Sequence, residues 1–378
     1  MVAGEPSGDM LAARLLSGLM PMLPDAHFHG IGGPQMAEQG FVSDFPMDKL
    51  AVRGLFEVLA HYREIKGIRD TLREQLLLER PAVFIGVDAP DFNLDLEIAL
   101  KNAGIPTVHF ISPSIWAWRG SRINKIKRAV SHMLVIFPFE EEIYRKAGIP
   151  VTYVGHPLAE VIPMEPDQNA ALDKLGLSHD TRVVAILPGS RMSEIKYNAS
   201  AFVGAAELLH KRDRGLRFVV PMAGAAQRAY FEKIIGPARL QKLPLTIVDG
   251  QSHTVLAAST AVLVASGTAT LEVALFKKPM VIGYRMHPAS WQILRLMAYQ
   301  PWVGLPNILA EEFLVPEVLQ DRATPHALAS ALWVQISSDP NRQRLRRRFI
   351  DLHHDLMSNT ASEGAYAVKQ LLAQSPAQ

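Results

Sequence analysis

The sequence predicts an α/β fold with two doubly wound, Rossmann-like domains. Short, continuous apolar runs, many of them β-branched, alternate with amphipathic segments along almost the whole chain. Continuous hydrophobicity is typical of parallel strands that helices cover on both faces, and strand–helix alternation favours a doubly wound sheet. A chain of 378 residues is also longer than one hydrophobic core usually supports.

The predicted strands fall into two sets, one in each half of the chain. Those of the first half are 83–87, 107–111, 133–137 and 151–154. Those of the second half are 183–187, 217–221, 245–248, 261–265 and 280–284. Helical patterns such as 94–102 and 199–211 lie between them.

The predicted domain boundary lies in residues 156–169, which contain three prolines and no clear period. This linker separates a domain 1–160 from a domain 161–340, and a basic helical stretch begins a third segment, 341–378. Residues 1–3 are apolar and run into a turn, as the end of a strand would. We therefore expect a truncated first strand or a misassigned start codon.

Composition excludes several classes of protein. Hydrophobic residues make up 48% of the chain and charged residues 20%, which is typical of globular proteins. Lys and Arg number 39 against 37 Asp and Glu; this balance says little about partners, and no nucleic-acid partner is predicted. The absence of cysteine excludes disulfides, thiolate catalysis and cysteine-ligated zinc. With no secretory signal and no apolar run near the roughly 18 residues of a spanning helix, we expect a cytoplasmic protein that is soluble or peripheral.

Two motifs in the first half follow apolar runs and carry groups suited to catalysis. In GEPSGD (4–9), Ser7 and Asp9 are natural N-cap residues, and the loop either caps the next helix or contacts a sugar or phosphate. GVDAPDFN (86–93) places Asp88 at the carboxyl end of a strand, where a carboxylate can act as general base for a sugar hydroxyl. A structural role is the alternative for Asp88.

Two motifs in the second half favour a diphosphate site. LPGSR (187–191) combines glycine and serine donors with an arginine fork that suits a phosphate. ASGTATLE (265–272) opens a helix with hydroxyl and amide donors at its positive end, and a glutamate within reach of ribose hydroxyls follows one turn later. Either loop alone is also compatible with an ordinary strand–helix turn. The predicted residues of this site are Gly189, Ser190, Arg191, Ser266, Gly267, Thr268 and Glu272.

No metal and no cofactor is predicted. The sequence has no Walker A loop, GxGxxG, HExxH or GxSxG motif, and no Asp-X-Asp pair. The 13 histidines are scattered, and His353 and His354, in a charged helical stretch, are expected to be solvated. We expect Arg191 and the helix dipole to stabilise a leaving diphosphate instead.

Membrane contact is predicted for a basic amphipathic helix around residues 55–62. Leu55, Val58 and Leu59 recur at helical spacing with Phe56 beside them, and basic residues are interspersed. Such a helix can lie in an anionic membrane interface, although a core-facing stripe with a solvated basic face is the alternative. Residues 291–302 are a second candidate, which could equally pack between domains.

Eight motifs in order, spanning nearly the whole chain, resemble those of the lipid A disaccharide synthase family. They are GEPSGD (4–9), GVDAPDFN (86–93), SPSIWAWR (112–119), FPFE (137–140), VGHPL (154–158), LPGSR (187–191), ASGTATLE (265–272) and LPN (305–307). SPSIWAWR and GVDAPDFN are the most distinctive of these, and the short N terminus is a departure from the family.

The resemblance implies a GT-B fold, with two Rossmann-like domains facing each other over a cleft and the last helices, 341–378, packing back on the first domain. It implies inverting transfer of 2,3-diacylglucosamine from UDP-2,3-diacylglucosamine to the 6-hydroxyl of 2,3-diacylglucosamine 1-phosphate. The products would be a β-1,6-linked disaccharide and UDP. It also implies a peripheral protein on the cytoplasmic face of the inner membrane, and leaves a homodimer through the C-terminal helices open.

The same resemblance implies roles for individual residues. Asp88 matches the general base, while Ser7, Asn307 and Glu5 match positions needed for activity. Arg191 matches the arginine at the UDP phosphates. The residues that match the lipid-docking region are Leu55, Phe56, Val58 and Leu59. Each methylene of an acyl chain gains roughly 0.8 kcal/mol on burial, so an enzyme for acylated sugars needs such an apolar surface.

Two alternatives remain at this stage. One is another UDP-sugar enzyme with two Rossmann-like domains, such as the muramyl-pathway N-acetylglucosaminyltransferase or a UDP-N-acetylglucosamine 2-epimerase. Those enzymes would need a nucleotide loop like ASGTATLE, but not GVDAPDFN or SPSIWAWR. The other is a non-catalytic lipid- or nucleotide-binding protein descended from the enzyme.

Overall fold

The computed structural model of the chain describes residues 1–50, 55–117, 120–297 and 300–374. The chain divides into two compact units. Unit 1 comprises residues 1–160 together with the C-terminal segment that begins at Leu356, and unit 2 comprises residues 161–355.

Unit 1 contains a seven-stranded parallel sheet in the described residues. Its strands are β1 (Val2–Ala3), β2 (His29–Gly32), β3 (Val42–Pro46), β4 (Phe84–Val87), β5 (Thr107–Phe110), β6 (His132–Val135) and β7 (Val151–Tyr153). They lie in the order β3-β2-β1-β4-β5-β6-β7. The apolar residues at the start of the chain thus form an inner strand of the sheet.

The helices of unit 1 cover both faces of this sheet, as parallel strands require. In the first part of the chain they are α1 (Pro6–Met22), α2 (Pro34–Glu38), α3 (Leu55–Glu79), α4 (Pro90–Asn102), α5 (Ile123–Ala129) and α6 (Glu140–Lys146), and α7 (Pro157–Val161) follows within the predicted linker. One buried cluster joins α4 to β4 through Leu96, Leu100 and Phe84. A second joins α4 to β6 through Leu94 and Met133.

Unit 2 contains a six-stranded parallel sheet in the described residues. Its strands are β8 (Arg182–Leu187), β9 (Leu216–Met222), β10 (Leu245–Asp249), β11 (Ala261–Val264), β12 (Met280–Tyr284) and β13 (Glu317–Leu319). They lie in the order β10-β9-β8-β11-β12-β13. A core on one face buries Phe202, Phe218 and Phe231 completely.

The helices of unit 2 follow the strand–helix alternation that the sequence predicts. They are α8 (Gln168–Lys174), α9 (Met192–Arg212), α10 (Ala225–Ile235), α11 (Pro237–Leu240), α12 (Ser252–Ala258), α13 (Thr268–Leu275), α14 (Pro288–Met297), α15 (Leu305–Ala310), α16 (Pro325–Ser337) and α17 (Asp339–Leu356). The nine strands predicted from apolar runs are all present, and no end is shifted by more than two residues. Strands β2, β3 and β13 were not predicted.

The segment predicted to return to the first domain, 341–378, is divided between the units. Helix α17 stays with unit 2, where Leu345 and Phe349 are fully buried, and its His353 is buried rather than solvated as expected. The last helix, α18 (Thr360–Gln374), belongs to unit 1 and packs on α1. The two helices approach so closely that a Cβ at Gly18 would collide with the carbonyl oxygen of Ala361.

The strand order reverses at one place in each sheet, and this places the motif loops. In unit 1 the reversal lies between β1 and β4, where Ala3 pairs with Val87. In unit 2 it lies between β8 and β11, where Leu187 pairs with Val264. Ligands of doubly wound sheets bind at the carboxyl ends of the strands at such a reversal. GEPSGD, GVDAPDFN, LPGSR and ASGTATLE follow these four strands.

Candidate functional site

The loop after β4 holds Asp88 in a strained conformation. Asp88 and its neighbour Ala89 have φ values of 52° and 43°, a left-handed conformation that costs residues other than glycine roughly 1–2 kcal/mol each. The amide of Asp88 donates to the carbonyl of Phe110 at 3.0 Å, and Asn93 Nδ2 donates to the carbonyl of Asp88 at 2.8 Å. The half-exposed Asp88 carboxylate itself has no hydrogen-bond or ion-pair partner among the described residues. Backbone strain of this kind clusters at functional sites.

A buried hydrogen-bonded pair of side chains lies behind this loop. His109 Nδ1 on β5 lies 2.7 Å from Glu97 Oε1 on α4, and both side chains are completely buried. A Cβ at Gly86 would collide with the same carboxylate oxygen, so the glycine that precedes Val87 lets α4 lie against β4. Removing one partner of a buried pair is costly, and the pair therefore fixes the strand end that carries Asp88.

GEPSGD lies beside the Asp88 loop, because β1 and β4 are neighbours. Glu5 is the N-cap residue of α1 and makes no side-chain cap bond, while Ser7 is exposed in the first turn. Asp9 does not cap α1 as predicted. It is buried and accepts hydrogen bonds from the amides of Gly33 at 2.9 Å and Met36 at 3.1 Å, at the start of α2. The structure thus brings Glu5, Ser7 and Asp88 to one edge, while Asp9 holds the neighbouring loop.

The motifs SPSIWAWR and FPFE form one structural unit, which the sequence does not show. Trp116 Nε1 donates to Glu140 Oε1 at 3.0 Å. The Trp116 ring meets the Phe139 ring edge to face at 5.3 Å between centroids, and Phe139 stacks on Phe137 at 5.8 Å. The Phe137 ring also packs at 5.4 Å from His156 of VGHPL. Three of the family motifs therefore meet at the carboxyl ends of β5, β6 and β7.

Burial shifts the pKa values of two titratable groups in this cluster. The Glu140 carboxyl is 1% exposed, and burial raises its pKa to about 7, although hydrogen bonds from the Phe137 amide and the Ser112 and Trp116 side chains oppose the shift. Burial lowers the pKa of His156 to about 4. The Ser112 hydroxyl also lies 2.8 Å from the hydroxyl of Tyr144. The cluster is thus an almost dry polar network.

In unit 2, the LPGSR loop is shaped by a residue that sequence reasoning missed. The Glu194 carboxylate accepts hydrogen bonds from the amides of Ser190 at 3.0 Å and Arg191 at 3.2 Å. Gly189 has a φ of 121°, and a Cβ there would collide with Glu194. The Ser190 amide predicted to bind phosphate is thus already bound. The Arg191 side chain, in contrast, is 64% exposed and pairs with Glu194 at 3.4 Å.

In the ASGTATLE loop, the exposed hydrogen-bond donors differ from the predicted ones. Ser266 Oγ donates to the carbonyl of Val303 at 2.8 Å, so this hydroxyl is engaged within the unit. Gly267 and Thr268 are exposed where α13 begins, and the first amides of a helix have no partner inside the helix. Glu272 is half-buried, with His253 Nε2 3.6 Å away. The positive end of α13 therefore faces outwards beside LPGSR.

Asn307 of LPN is buried and fully engaged. Its Nδ2 donates to the Val315 carbonyl and to Glu317 Oε1, both at 2.9 Å, and its Oδ1 accepts from the amides of Leu314 and Val315. Glu317 also accepts from the Gly304 amide at 2.9 Å. A side chain so placed fixes the backbone beside ASGTATLE, and its predicted part in activity stays a prediction.

The remaining predictions concern lipid docking, metal binding and membrane spanning. The side chains of the predicted lipid-docking residues, Leu55, Phe56, Val58 and Leu59, lie outside the part of the chain that the structure describes. The described residues contain no group of three or more side chains arranged to hold a metal ion. In the same part of the chain, no helix has the length and apolar character to cross a membrane.

A family model described as lipid-A-disaccharide synthetase matches residues 1–368. The chain belongs to the lipid-A-disaccharide synthase family. Its relatives include the lipid-A-disaccharide synthases of Paraburkholderia phymatum, which is 53% identical over 97% of this chain and 94% of the relative, and of Bordetella avium, which is 52% identical over 98% and 97%. The resemblance seen in the motifs is confirmed, and the chain is a glycosyltransferase of lipid A disaccharide formation.

Solved structures confirm the predicted fold class at low sequence identity. HepE of Anabaena, crystallised with UDP and glucose, is 13% identical with a TM-score of 0.56, over 99% of this chain and 98% of that one. MnaA of Staphylococcus aureus, in a structure with UDP, is 14% identical with a TM-score of 0.59, over 99% and 97%. The calicheamicin glycosyltransferase CalG4 is 16% identical with a TM-score of 0.58, over 99% and 95%. These likenesses concern the fold of the family and not its substrates.

We predict that Glu140→Gln changes the pH dependence of stability. Because the pKa of Glu140 is raised from 4.5 to about 7, the folded state holds more protons than the unfolded state in that window, and wild-type stability falls as pH rises through it. The variant lacks this loss. Between pH 4.5 and 7 its free energy of unfolding should therefore rise by up to roughly 3 kcal/mol relative to that of the wild type. Calorimetric melting of both full-length proteins across this range measures the difference.

His156→Gln is the matched control. In the wild type, the pKa of His156 is lowered from 6.5 to about 4. The unfolded state therefore binds more protons between these values, and wild-type stability rises with pH in that window. The variant should lose that rise, so its slope of stability against pH changes in the opposite direction to that of Glu140→Gln. Parallel profiles for Glu140→Gln and wild type would show that Glu140 titrates normally.

Proposed function

We propose that the chain transfers 2,3-diacylglucosamine from UDP-2,3-diacylglucosamine to the 6-hydroxyl of 2,3-diacylglucosamine 1-phosphate, with inversion at the anomeric carbon. The products are a β-1,6-linked disaccharide 1-phosphate and UDP. The observation that carries the proposal is the unpartnered Asp88 carboxylate on a strained loop at the strand-order reversal of unit 1. A base without an internal partner, at the edge where such folds bind ligands, suits deprotonation of an acceptor hydroxyl.

The donor half of the reaction is assigned to unit 2. Arg191 offers a largely exposed guanidinium, and α13 offers the amides of an outward-facing N terminus. Both follow adjacent strands, since Leu187 pairs with Val264. A fork of N–H donors and a positive helix end suit a diphosphate. Several neighbours of the same fold were solved with UDP, which supports a nucleotide sugar as donor.

The chemical step moves one proton and exchanges one bond. The 6-hydroxyl oxygen of the acceptor attacks the anomeric carbon of the donor as its proton passes to Asp88. The bond between that carbon and the diphosphate oxygen breaks, and UDP leaves with the electron pair. Charge grows on the leaving diphosphate, where Arg191 and the α13 terminus stabilise it. Attack from the face opposite UDP inverts the anomeric configuration.

Glu5, Ser7 and Glu272 complete the proposed contacts. The first two lie at the same sheet edge as Asp88, and the exposed Ser7 hydroxyl can bind an acceptor oxygen. Glu272 is placed to accept hydrogen bonds from ribose hydroxyls. We assign Asn307 a positioning role. Its side chain makes four hydrogen bonds that hold the neighbouring segment in place. The Val303 carbonyl of that segment accepts the hydrogen bond of Ser266.

Membrane association on the cytoplasmic face of the inner membrane is the last part of the proposal. The sequence places an apolar stripe with interspersed basic residues in α3, around Leu55 and Leu59. In unit 2, α14 contains no buried residue and exposes Ile293 and Leu296 by 60% and 82%, with Arg295 between them. Apolar and basic residues together favour an anionic bilayer surface, where both acylated substrates reside.

The substrate assignment is tested by supplying different donors. Pure protein incubated with UDP-2,3-diacylglucosamine and the acylated acceptor should release UDP and form the disaccharide in equal amounts. With UDP-N-acetylglucosamine it should release almost no UDP, because the acyl contacts are absent. Product analysis by mass spectrometry and an enzymatic UDP assay follow both. Turnover of UDP-N-acetylglucosamine alone would show a different UDP-sugar enzyme.

Replacing the proposed base should separate chemistry from binding. Asp88→Asn should lower kcat by about 10²- to 10⁴-fold, the usual contribution of a general base, while the Kd for UDP, measured by calorimetry, stays unchanged. Arg191→Ala should instead weaken UDP binding. The matched control is Asp91→Asn in the first turn of α4, whose carboxylate is 82% exposed and pairs with Arg122; it should keep its activity. Full activity of Asp88→Asn would remove Asp88 as the base.

The membrane assignment is tested by two sets of substitutions. Replacing Leu55, Phe56 and Leu59 with serine, or Ile293 and Leu296 with serine, should each reduce co-sedimentation with vesicles that contain anionic phospholipid, with circular dichroism unchanged. The matched control is Leu78→Ser, at an exposed position near the end of α3. Unchanged vesicle binding in either set would show that the corresponding surface does not contact lipid.

A further inference from the structure

A basic cavity lies at the opposite edge of unit 2 from the nucleotide loops. Thr260 and Pro279, which directly precede β11 and β12, line it, so it opens at the amino ends of the strands. Its volume is about 440 Å³, which is room for a phosphate with a small organic group. Its charged lining consists of Lys277, Lys278, Arg342, Arg346 and Glu165.

Lys277 lies in this cavity with an unfavourable backbone conformation and a largely buried side chain. The residue follows α13 with a φ of 58°, the position after a helix where glycine is preferred. It is only 7% exposed. Its Nζ donates to the carbonyl of Pro163 at 3.2 Å and lies 2.6 Å from Nδ1 of His353. Among the described residues, no carboxylate lies within ion-pair distance of this ammonium group.

Lys278 repeats the arrangement one residue later. Its Nζ donates to the carbonyl of Ala257 at 2.7 Å and likewise has no carboxylate partner in the described part of the chain. Burial lowers the pKa of both lysines to about 8, and at Lys277 the positive charge of Arg346 adds to this shift while Glu165 opposes it. Buried charges in proteins are ordinarily paired, so these two lack the anion that would complete them.

The rim of the cavity adds further cations. Arg346 pairs with Glu165 at 3.3 Å, but both side chains are mostly exposed, at 57% and 82%. Arg342 binds Asp339 and the carbonyl of Ile336. Exposed pairs contribute little and exchange partners readily. Glu165, the one carboxylate in this lining, pairs with Arg346 and lies beyond ion-pair distance of Lys277 and Lys278, so neither lysine has a direct counter-ion among the described residues.

We infer that this cavity binds a phosphate dianion, as inorganic phosphate or as the terminal phosphate of a monoester, at a site separate from the LPGSR and ASGTATLE loops. Two ammonium groups match its double charge, and an arginine fork suits its oxygens. The inference goes beyond the proposed function and does not depend on it, because no part of the transfer reaction uses this edge of the sheet. Such an anion comes from two sources, free phosphate or the headgroup of a phosphomonoester lipid.

Calorimetric titration of the full-length protein with inorganic phosphate, at constant ionic strength in chloride, tests the inference. We expect one saturable site that Lys277→Met and Lys278→Met each weaken at least about tenfold, since hydrogen bonds to charged groups are worth that much. Arg346→Gln, an exposed substitution that leaves the core intact, should weaken it by about threefold or more. Arg191→Ala and the distant surface variant Lys233→Met should bind phosphate as the wild type does.

A second arm replaces phosphate with dihexanoyl phosphatidic acid below its micellar concentration. Tighter binding of the lipid than of phosphate identifies a lipid headgroup as the occupant, and equal or weaker binding identifies free phosphate; both support the site. Failure of the wild type to bind either compound overturns the inference. Loss of binding in Arg191→Ala with full binding in Lys278→Met and Arg346→Gln also overturns it, by placing the anion at the nucleotide loops.

Discussion

The pairing of two inner strands in each sheet is the constraint on which both sets of loops depend. Ala3 lies against Val87, and Leu187 against Val264. Because the chain leaves these strands towards opposite sides of the sheet, the loops that follow them separate and leave room for a ligand. A shift of one residue in either register would move a loop by about 3.3 Å and turn its side chains to the other face. The position of Asp88 and Arg191 thus rests on buried backbone hydrogen bonds.

Buried asparagines are the second device that holds these loops. Asn93, Asn198 and Asn307 are each 0% exposed, and each binds the backbone of a loop at a strand end. Asn198 accepts from the Arg285 amide and donates to the Pro188 carbonyl, which ties LPGSR to the end of β12. An amide offers donors and an acceptor at once, so one side chain satisfies backbone groups that lack a strand partner. A motif such as LPN therefore includes residues that hold a site as well as residues that touch a ligand.

Continuous apolar runs predicted nine strands, and the strands β2, β3 and β13, whose sequences contain no such run, were missed. Strand β2 contains two glycines in four residues, β3 is largely exposed, and β13 includes Glu317. Local sequence also placed the motif loops at strand ends, including the positions of Asp88 and Arg191. It could not give the pairing of Asp9 with the amide of Gly33 or of Glu140 with Trp116, because each of these hydrogen bonds joins residues 24 positions apart. Such contacts follow from the assembled sheet rather than from local pattern.

The close packing of α18 on α1 bears on how the chain is made. A ribosome delivers the first 160 residues early, yet the surface formed by Leu15, Gly18 and Leu19 stays uncovered until Ala361 and Gly364 emerge. Unit 2, which is contiguous in sequence, can complete its core before then. The first domain to be synthesised is therefore the last to complete its fold, against the usual N-terminal-first order. A nascent chain that stalls near its end would expose the apolar surface of α1 to chaperones.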